Sequence, residues 1–99
     1  MDILVIGGGG REHSLCWAIS QSPRCNKLYC IPGNAGISNI AECVNISDNN
    51  IAGIVNFAKK KNVDLVVIGP EGPLVLGLVD ALEAENIKTF GPTANAAQL

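Results

Sequence analysis

Residues 2–7 read DILVIG, and nearly the same run returns at residues 64–69 as DLVVIG. Each run is short, rich in β-branched residues and stopped by a glycine. Continuous apolar runs of this length are typical of strands that are buried on both faces, as in a parallel sheet covered by helices on each side. The two runs therefore predict an α/β protein and two strands at the centre of its sheet.

Further strands are expected where similar runs stop at a Pro-Gly or Gly-Pro pair. Residues 28–31 and 88–90 have this form, and a short strand is expected between residues 43 and 46. All the longer runs end in glycine or in a Pro/Gly pair. In a parallel sheet these ends lie on one edge, which is where open α/β sheets bind their ligands.

Three segments between the strands carry apolar residues at helical spacing. They predict helices over residues 11–21, from an N-cap at Asp48 to the lysines at 59–61, and from Pro73 to about residue 86. The lysine run is interpreted as the solvated end of the second helix. Because this alternation implies right-handed crossovers, residues 1–99 are expected to form one domain with a mostly parallel sheet in three α/β/α layers.

Composition limits the possible partners and location. The chain has 99 residues and a formal net charge of −2, with only seven Lys and Arg, so no basic surface for nucleic acid is expected. No apolar run approaches the ~20 residues that span a bilayer, and no secretory signal opens the chain. These features predict a cytoplasmic protein with neither nucleic acid nor membrane as partner.

The cysteines are interpreted as small buried apolar residues. Cys16, Cys25, Cys30 and Cys43 never fall at C-x-x-C spacing, and each has apolar neighbours. No metal site is predicted in this chain.

The run of four glycines at residues 7–10 is the strongest functional signal. It follows the first strand and opens the first helix, so the backbone N–H groups of Gly8, Gly9 and Gly10 can approach an anion at the positive end of a helix. Four consecutive glycines cost more backbone entropy than a simple turn requires. The loop is therefore expected to bind phosphate.

The sequence does not match the two common phosphate-binding motifs of α/β proteins, the dinucleotide fingerprint and the P-loop. A dinucleotide fingerprint fits poorly, because Glu12 or His13 falls where G-x-G-x-x-G needs its third glycine, and no acidic residue lies between Glu12 and Glu42. A P-loop is excluded because no glycine precedes Lys-Ser or Lys-Thr. A dinucleotide-binding domain of an oxidoreductase stays as the alternative enzyme, and a flavodoxin-like receiver as the alternative binding module.

Five further residues are candidates for contact with a ligand at the same edge. Arg11, Glu12 and His13 stand in the first helical turn, where Arg11 could pair with phosphate and Glu12 could accept bonds from ligand hydroxyls or an amine. Asn34 lies in the second loop, PGNAG, and Glu71 in the third, GPEGP. No nucleophile is paired with a base, so the chain is expected to provide a binding surface without catalytic residues.

These motifs together resemble the N-terminal domain of the phosphoribosylamine–glycine ligase family, also called glycinamide ribonucleotide synthetase. The resemblance covers essentially the whole chain. It rests on VIGGGGREHSL at residues 5–15, PGNAG at 32–36, DLVVIGPE at 64–71, FGP at 90–92 and AQL at 97–99.

The resemblance implies a Rossmann-like domain of the pre-ATP-grasp type. Family members join phosphoribosylamine to glycine in purine synthesis, using ATP and Mg or Mn, through a glycyl phosphate. The resemblance further implies that ATP and metal bind in ATP-grasp domains following Leu99, so that this chain alone holds no cofactor and is inactive. The short helix expected after Thr93 would be interrupted at Leu99. The residues expected near phosphoribosylamine are Gly8, Gly9, Gly10, Arg11, Glu12, His13, Asn34 and Glu71.

Overall fold

The computed structural model of the chain describes residues 1–69 and 76–91. Within these ranges one sheet of five strands is formed by β1 (Asp2–Gly7), β2 (Lys27–Pro32), β3 (Glu42–Cys43), β4 (Leu65–Ile68) and β5 (Lys88–Phe90). Every pair of neighbouring strands is parallel, and the spatial order is β3-β2-β1-β4-β5. The predicted parallel α/β fold is confirmed.

Three helices and one 3-10 turn connect the strands. The elements are α1 (Gly10–Ser20), a 3-10 turn at Ile37–Asn39, α2 (Ile51–Lys60) and α3 (Leu76–Ala84). The predicted start of the third helix at Pro73 lies outside the described residues, as do Glu71 and the helix expected after Thr93.

Two local predictions were wrong in detail. The N-cap of α2 is Asn50 and not Asp48, because the Asn50 side chain accepts a hydrogen bond from Gly53 N at 3.0 Å. Both residue types are good caps, so the sequence did not distinguish them. The strand expected over residues 43–46 is only Glu42–Cys43, since Ile46 N turns back to Val44 O at 2.8 Å and ends the pairing.

The sheet separates two apolar clusters, which gives the three predicted layers. One face packs against α2 and α3, with Leu4, Ile6, Ile31 and Val66 from the strands and Ile54 and Leu82 from the helices. The other packs against α1 and the 3-10 turn, with Ile3, Val5, Cys30 and Val67 from the strands and Cys16 and Ile37 opposite. Because successive strand residues point to opposite faces, strands buried on both sides have to be apolar throughout.

The strand order places the topological switch between β1 and β4. From β1 the chain winds outward through α1 to β2 and β3, and α2 then returns it to β4 on the other side of β1. The loops after β1 and β4 therefore diverge to opposite sides of the sheet. The crevice between such loops is where doubly wound proteins bind ligands.

Two further properties of the described helices concern the exposed lysines of α2 and the length of the helices. Lys59 and Lys60 are exposed in the last turn of α2, which confirms the interpretation of the lysine run, and Lys59 Nζ lies 3.3 Å from Glu85 Oε1. Across residues 1–69 and 76–91, none of the helices is both long enough and apolar enough to cross a membrane.

Removing a side chain from the centre of the sheet tests this packing. Leu4 is fully buried in β1, so Leu4→Ala is expected to lower the free energy of unfolding by about 2–5 kcal/mol through lost burial and the cavity left behind. Urea denaturation followed by circular dichroism measures the loss. Trp17→Ala is the control, because Trp17 is 58% exposed and should cost less although a larger group is removed. Equal losses for the two variants would contradict the burial described here.

Candidate functional site

The carboxyl ends of the strands bring the predicted loops to one edge of the sheet. The first loop, residues 7–10, follows β1, and the second loop, residues 32–36, follows β2. Gly69 follows β4, and its N–H donates to Ile6 O at 2.8 Å. The edge therefore brings together the first two loops and Gly69, the first residue of the third glycine-containing segment.

Glu12 lies beneath the first loop. Its side chain is fully buried, and its Oε1 accepts a hydrogen bond from Gly9 N at 2.8 Å. An acidic side chain in the first turn of a helix also lies at the favourable end of the helix dipole. The structure thus gives Glu12 a role in holding the loop, while direct contact of its carboxylate with a ligand stays a prediction.

Space for Glu12 is provided by glycines at the ends of β1 and β4. A Cβ placed on Gly7 would lie 2.5 Å from Glu12 Cγ, and one placed on Gly69 would lie 2.6 Å from Glu12 Cδ. Both separations are far below van der Waals contact. The carboxylate therefore lies between the two strand ends, at the topological switch of the sheet.

Asn34 joins the second loop to the first. Its Nδ2 donates to Gly8 O at 2.8 Å, and its Oδ1 accepts from Ile37 N at 2.9 Å at the start of the 3-10 turn. The sequence placed Asn34 at the right edge but could not show that both ends of its amide bind backbone groups. A contact of Asn34 with a ligand stays a prediction.

The two loops also approach each other through their backbones. Gly33 N donates to Gly7 O at 3.2 Å, and a Cβ on Gly8 would lie 2.7 Å from Gly33 O. Gly33 itself has φ +73°, a conformation that favours glycine, and its Cα lies against the Cys43 thiol. The first two loops therefore form one structural unit.

Arg11 and His13 are exposed on the first turn of α1. A Cβ on Gly36 would lie 3.4 Å from His13 Cε1, so the imidazole is next to the second loop. A pocket of about 220 Å³ opens beside it, lined by His13, Ser14 and Trp17. Arg11 and His13 thus lie where the sequence predicted, on the exposed surface next to the first loop.

This arrangement is suited to an anion. His13 N makes the first helical bond of α1, to Gly9 O at 3.1 Å, so the N–H groups of residues 10–12 belong to the first turn, where no helical carbonyl is available. The helix dipole and the Arg11 guanidinium add positive potential. Among the described residues no three His, Cys, Asp or Glu side chains cluster as metal ligands would.

Glu71 lies outside the described residues, so its predicted place near a ligand is not tested. Sequence reasoning missed the role of Gly69 and Gly33 in packing against Glu12 and Cys43. The signal available was the glycine that directly follows each strand. It indicated close backbone approach but not which side chain required it.

A pair of Gly→Ala substitutions tests the packing of Glu12. Gly69→Ala is expected to lower the free energy of unfolding by about 1–3 kcal/mol, because the new methyl group overlaps the buried carboxylate. Gly10→Ala makes the same chemical change where nothing lies within 4 Å, and should shift stability by no more than about 0.5 kcal/mol. Urea unfolding of both variants measures this. A Gly69→Ala protein as stable as the Gly10→Ala protein would argue against the position of Glu12.

Comparison with known proteins identifies relatives that match over the whole chain. Residues 1–99 match the family model described as phosphoribosylglycinamide synthetase, N domain. The chain is 52% identical over 99 residues to phosphoribosylamine–glycine ligase of Brucella melitensis, and 54% identical to that of Rhizobium meliloti. It is 50% identical to the enzyme of Caldanaerobacter subterraneus subsp. tengcongensis.

Each alignment covers the entire chain but only 23–24% of the relative. The chain thus spans about a quarter of the length of these relatives. The matches support the resemblance that the motifs showed. They do not support the alternative of an oxidoreductase domain. The chain belongs to the phosphoribosylglycinamide synthetase N-domain family.

Proposed function

We propose that this chain is the part of a phosphoribosylamine–glycine ligase that binds 5-phosphoribosylamine. The observation that carries the proposal is sequence identity. Over its whole length the chain is 50–54% identical to the three phosphoribosylamine–glycine ligases of Brucella, Caldanaerobacter and Rhizobium. The site supports it independently, because the loops at the switch of the sheet offer backbone donors and a guanidinium, which suit a sugar phosphate.

In the proposed binding mode the phosphate of the substrate lies against the first loop. The N–H groups at the start of α1 donate to its oxygens, and Arg11 supplies a charge-assisted bond. Glu12 acts from below by fixing Gly9, and Asn34 holds the second loop against Gly8. The sugar and its amine then extend along the edge toward Gly69 at the end of β4, and the proposal assigns Glu71 a contact with the sugar or the amine.

The reaction proposed for the complete enzyme is an ATP-dependent C–N ligation. ATP would phosphorylate the carboxylate of glycine, and the amine of phosphoribosylamine would displace that phosphate to form the amide. The sequence holds no P-loop motif, and the described residues hold no cluster of three metal ligands. Following the family resemblance, the proposal places ATP and metal in other parts of the enzyme and assigns this chain the amine substrate.

The activity itself is tested on the full-length protein that contains this chain. With phosphoribosylamine, glycine, ATP and Mg²⁺ together, glycinamide ribonucleotide, ADP and phosphate are expected in equal amounts, measured by mass spectrometry and a coupled ADP assay. Omission of either phosphoribosylamine or glycine should abolish amide formation. Amide formation with another amine of similar size in place of phosphoribosylamine would contradict the proposed substrate.

The binding role of the edge is tested by Arg11→Met in the full-length protein. Loss of a hydrogen bond to a charged group costs about 1.5–3 kcal/mol, so KM for phosphoribosylamine should rise about 10- to 100-fold while KM for ATP and for glycine stays unchanged. Arg24→Met is the matched control, because Arg24 lies between α1 and β2, at the opposite edge of the sheet. If both variants keep the parent KM for phosphoribosylamine, Arg11 does not contact its phosphate. Ligase activity could still be intact, so this outcome is distinct from failure of the proposed reaction.

A further inference from the structure

Three cysteines that are distant in the sequence come together beneath the first two loops. Cys16 in α1 and Cys30 in β2 are fully buried in the cluster between α1 and the sheet, and Cys43 in β3 packs against the same cluster and is partly buried. The sequence interpretation treated them as separate apolar residues. That interpretation is confirmed for Cys16 and Cys30, whereas Cys25 and Cys43 are only partly buried.

Cys30 and Cys43 are direct neighbours across parallel strands. They are register partners in β2 and β3, and both side chains lie on the face of the sheet covered by α1. Adjacent strands are about 4.7–4.9 Å apart, within the Cα separation of about 4.4–6.8 Å that a disulfide allows. The register therefore places the two cysteines within the Cα separation that a disulfide allows.

The position of Gly33 shows that the Cys43 sulfur lies close to Cys30. A Cβ built on Gly33 would overlap Cys43 Sγ and would lie 3.5 Å from Cys30 Cβ. The position that a Gly33 Cβ would take is thus adjacent to both Cys30 and Cys43. Only a glycine at this position leaves the room that the Cys43 thiol occupies.

Both thiols make hydrogen bonds to the loops above them. Cys30 Sγ donates to Gly7 O at 3.2 Å, and Cys43 Sγ donates to Asn34 O at 3.6 Å. The Cys30 thiol also contacts Cys16, and this hydrogen bond, followed by burial, raises the pKa of Cys30 well above its usual range. Because Cys30 is fully buried, the partly exposed Cys43 is the thiol that an oxidant can reach first.

We propose that Cys30 and Cys43 form a thiol-oxidation site that takes a small hydroperoxide and closes as a disulfide beneath the two loops. In the first step Cys43 thiolate attacks hydrogen peroxide, so that an S–O bond forms, the O–O bond breaks, and the departing hydroxide becomes water with the proton released by Cys43. In the second step the Cys30 sulfur attacks Cys43 Sγ. The S–S bond forms, the S–O bond breaks, and the hydroxide takes the proton of Cys30 to give a second water. Two thiols are oxidised and one peroxide is reduced to two waters.

The two other cysteines provide an internal competitor and a control. Cys16 is adjacent to Cys30 but fully buried, so it lacks the access that the first step requires. Cys25 is partly buried like Cys43, but it lies at the opposite edge of the sheet, where its Sγ donates to Lys27 O at 3.6 Å. Burial raises the pKa of the Cys25 thiol, and no cysteine partner is given by the strand register there.

Peptide mapping of the folded protein tests the proposal. The protein is treated with hydrogen peroxide, remaining thiols are alkylated, and digestion with trypsin and a glutamate-specific protease separates the cysteines. Cleavage after Arg24, Lys27, Glu42 and Lys59 places Cys16, Cys25, Cys30 and Cys43 on different peptides. The expected result is loss of two free thiols and a link between peptides 28–42 and 43–59 that dithiothreitol reverses.

Single substitutions make the result decisive. Cys25→Ser should leave the linked pair unchanged, whereas Cys43→Ser should abolish it and leave Cys30 free. A link between peptides 13–24 and 28–42 in the parent protein would overturn the proposal, as would oxidation of Cys43 alone to sulfinic acid with Cys30 still alkylated. Circular dichroism of each variant before treatment confirms that the fold is retained. Should Cys43→Ser fail to fold, Cys43→Ala is used in its place.

Discussion

The buried side chain of Glu12 is the constraint on which the carboxyl edge of the sheet depends. Burial of a carboxyl group is costly unless hydrogen bonds replace its hydration, and here Gly9 N, at the N-cap of α1, supplies such a bond. The strand ends on either side must then be without side chains. Gly7 and Gly69 meet that requirement, and the position of the first loop follows from it.

The second loop is fixed to the first by backbone groups, with Asn34 as the main side chain between them. The hydrogen bond from Gly33 N to Gly7 O extends the pairing of β2 with β1 past the end of β2, and the Asn34 amide continues the connection to Gly8. The side chains exposed beside these loops include Arg11 and His13, which stand next to the N–H groups at the start of α1. Backbone N–H donors and positive charge at a helix N-terminus suit the phosphate that the proposed binding mode places at this edge.

The sequence predicted those parts of the fold that depend on local pattern. Residues 2–7 and 64–69 had to be strands of a parallel sheet because both of their faces are apolar, and the helices followed from their apolar spacing. Strand order depends on contacts between distant residues, which a single sequence does not encode locally. The cap of α2 was missed for another reason, because Asp48 and Asn50 lie close together and are both good cap residues. Glu12 and Asn34 were predicted as site residues because they stand in or beside the glycine loops, and their contact with a ligand stays a prediction. Their engagement with the backbone could not be foreseen, because an acidic residue in a first helical turn is equally common on an exposed face.

The glycines of the first loop are not equivalent. The entropic cost of four consecutive glycines first suggested that a ligand approaches all of them, but at Gly7 and Gly8 the missing side chain makes room for Glu12 and for the Gly33 carbonyl. Packing therefore accounts for glycine at these two positions without any ligand. Gly10 differs, because a side chain there would meet nothing within 4 Å and the residue begins α1. Packing therefore does not account for the glycine at position 10, and the proposed phosphate contact depends mainly on Gly10 and Arg11, whereas Gly7 and Gly8 serve the fold.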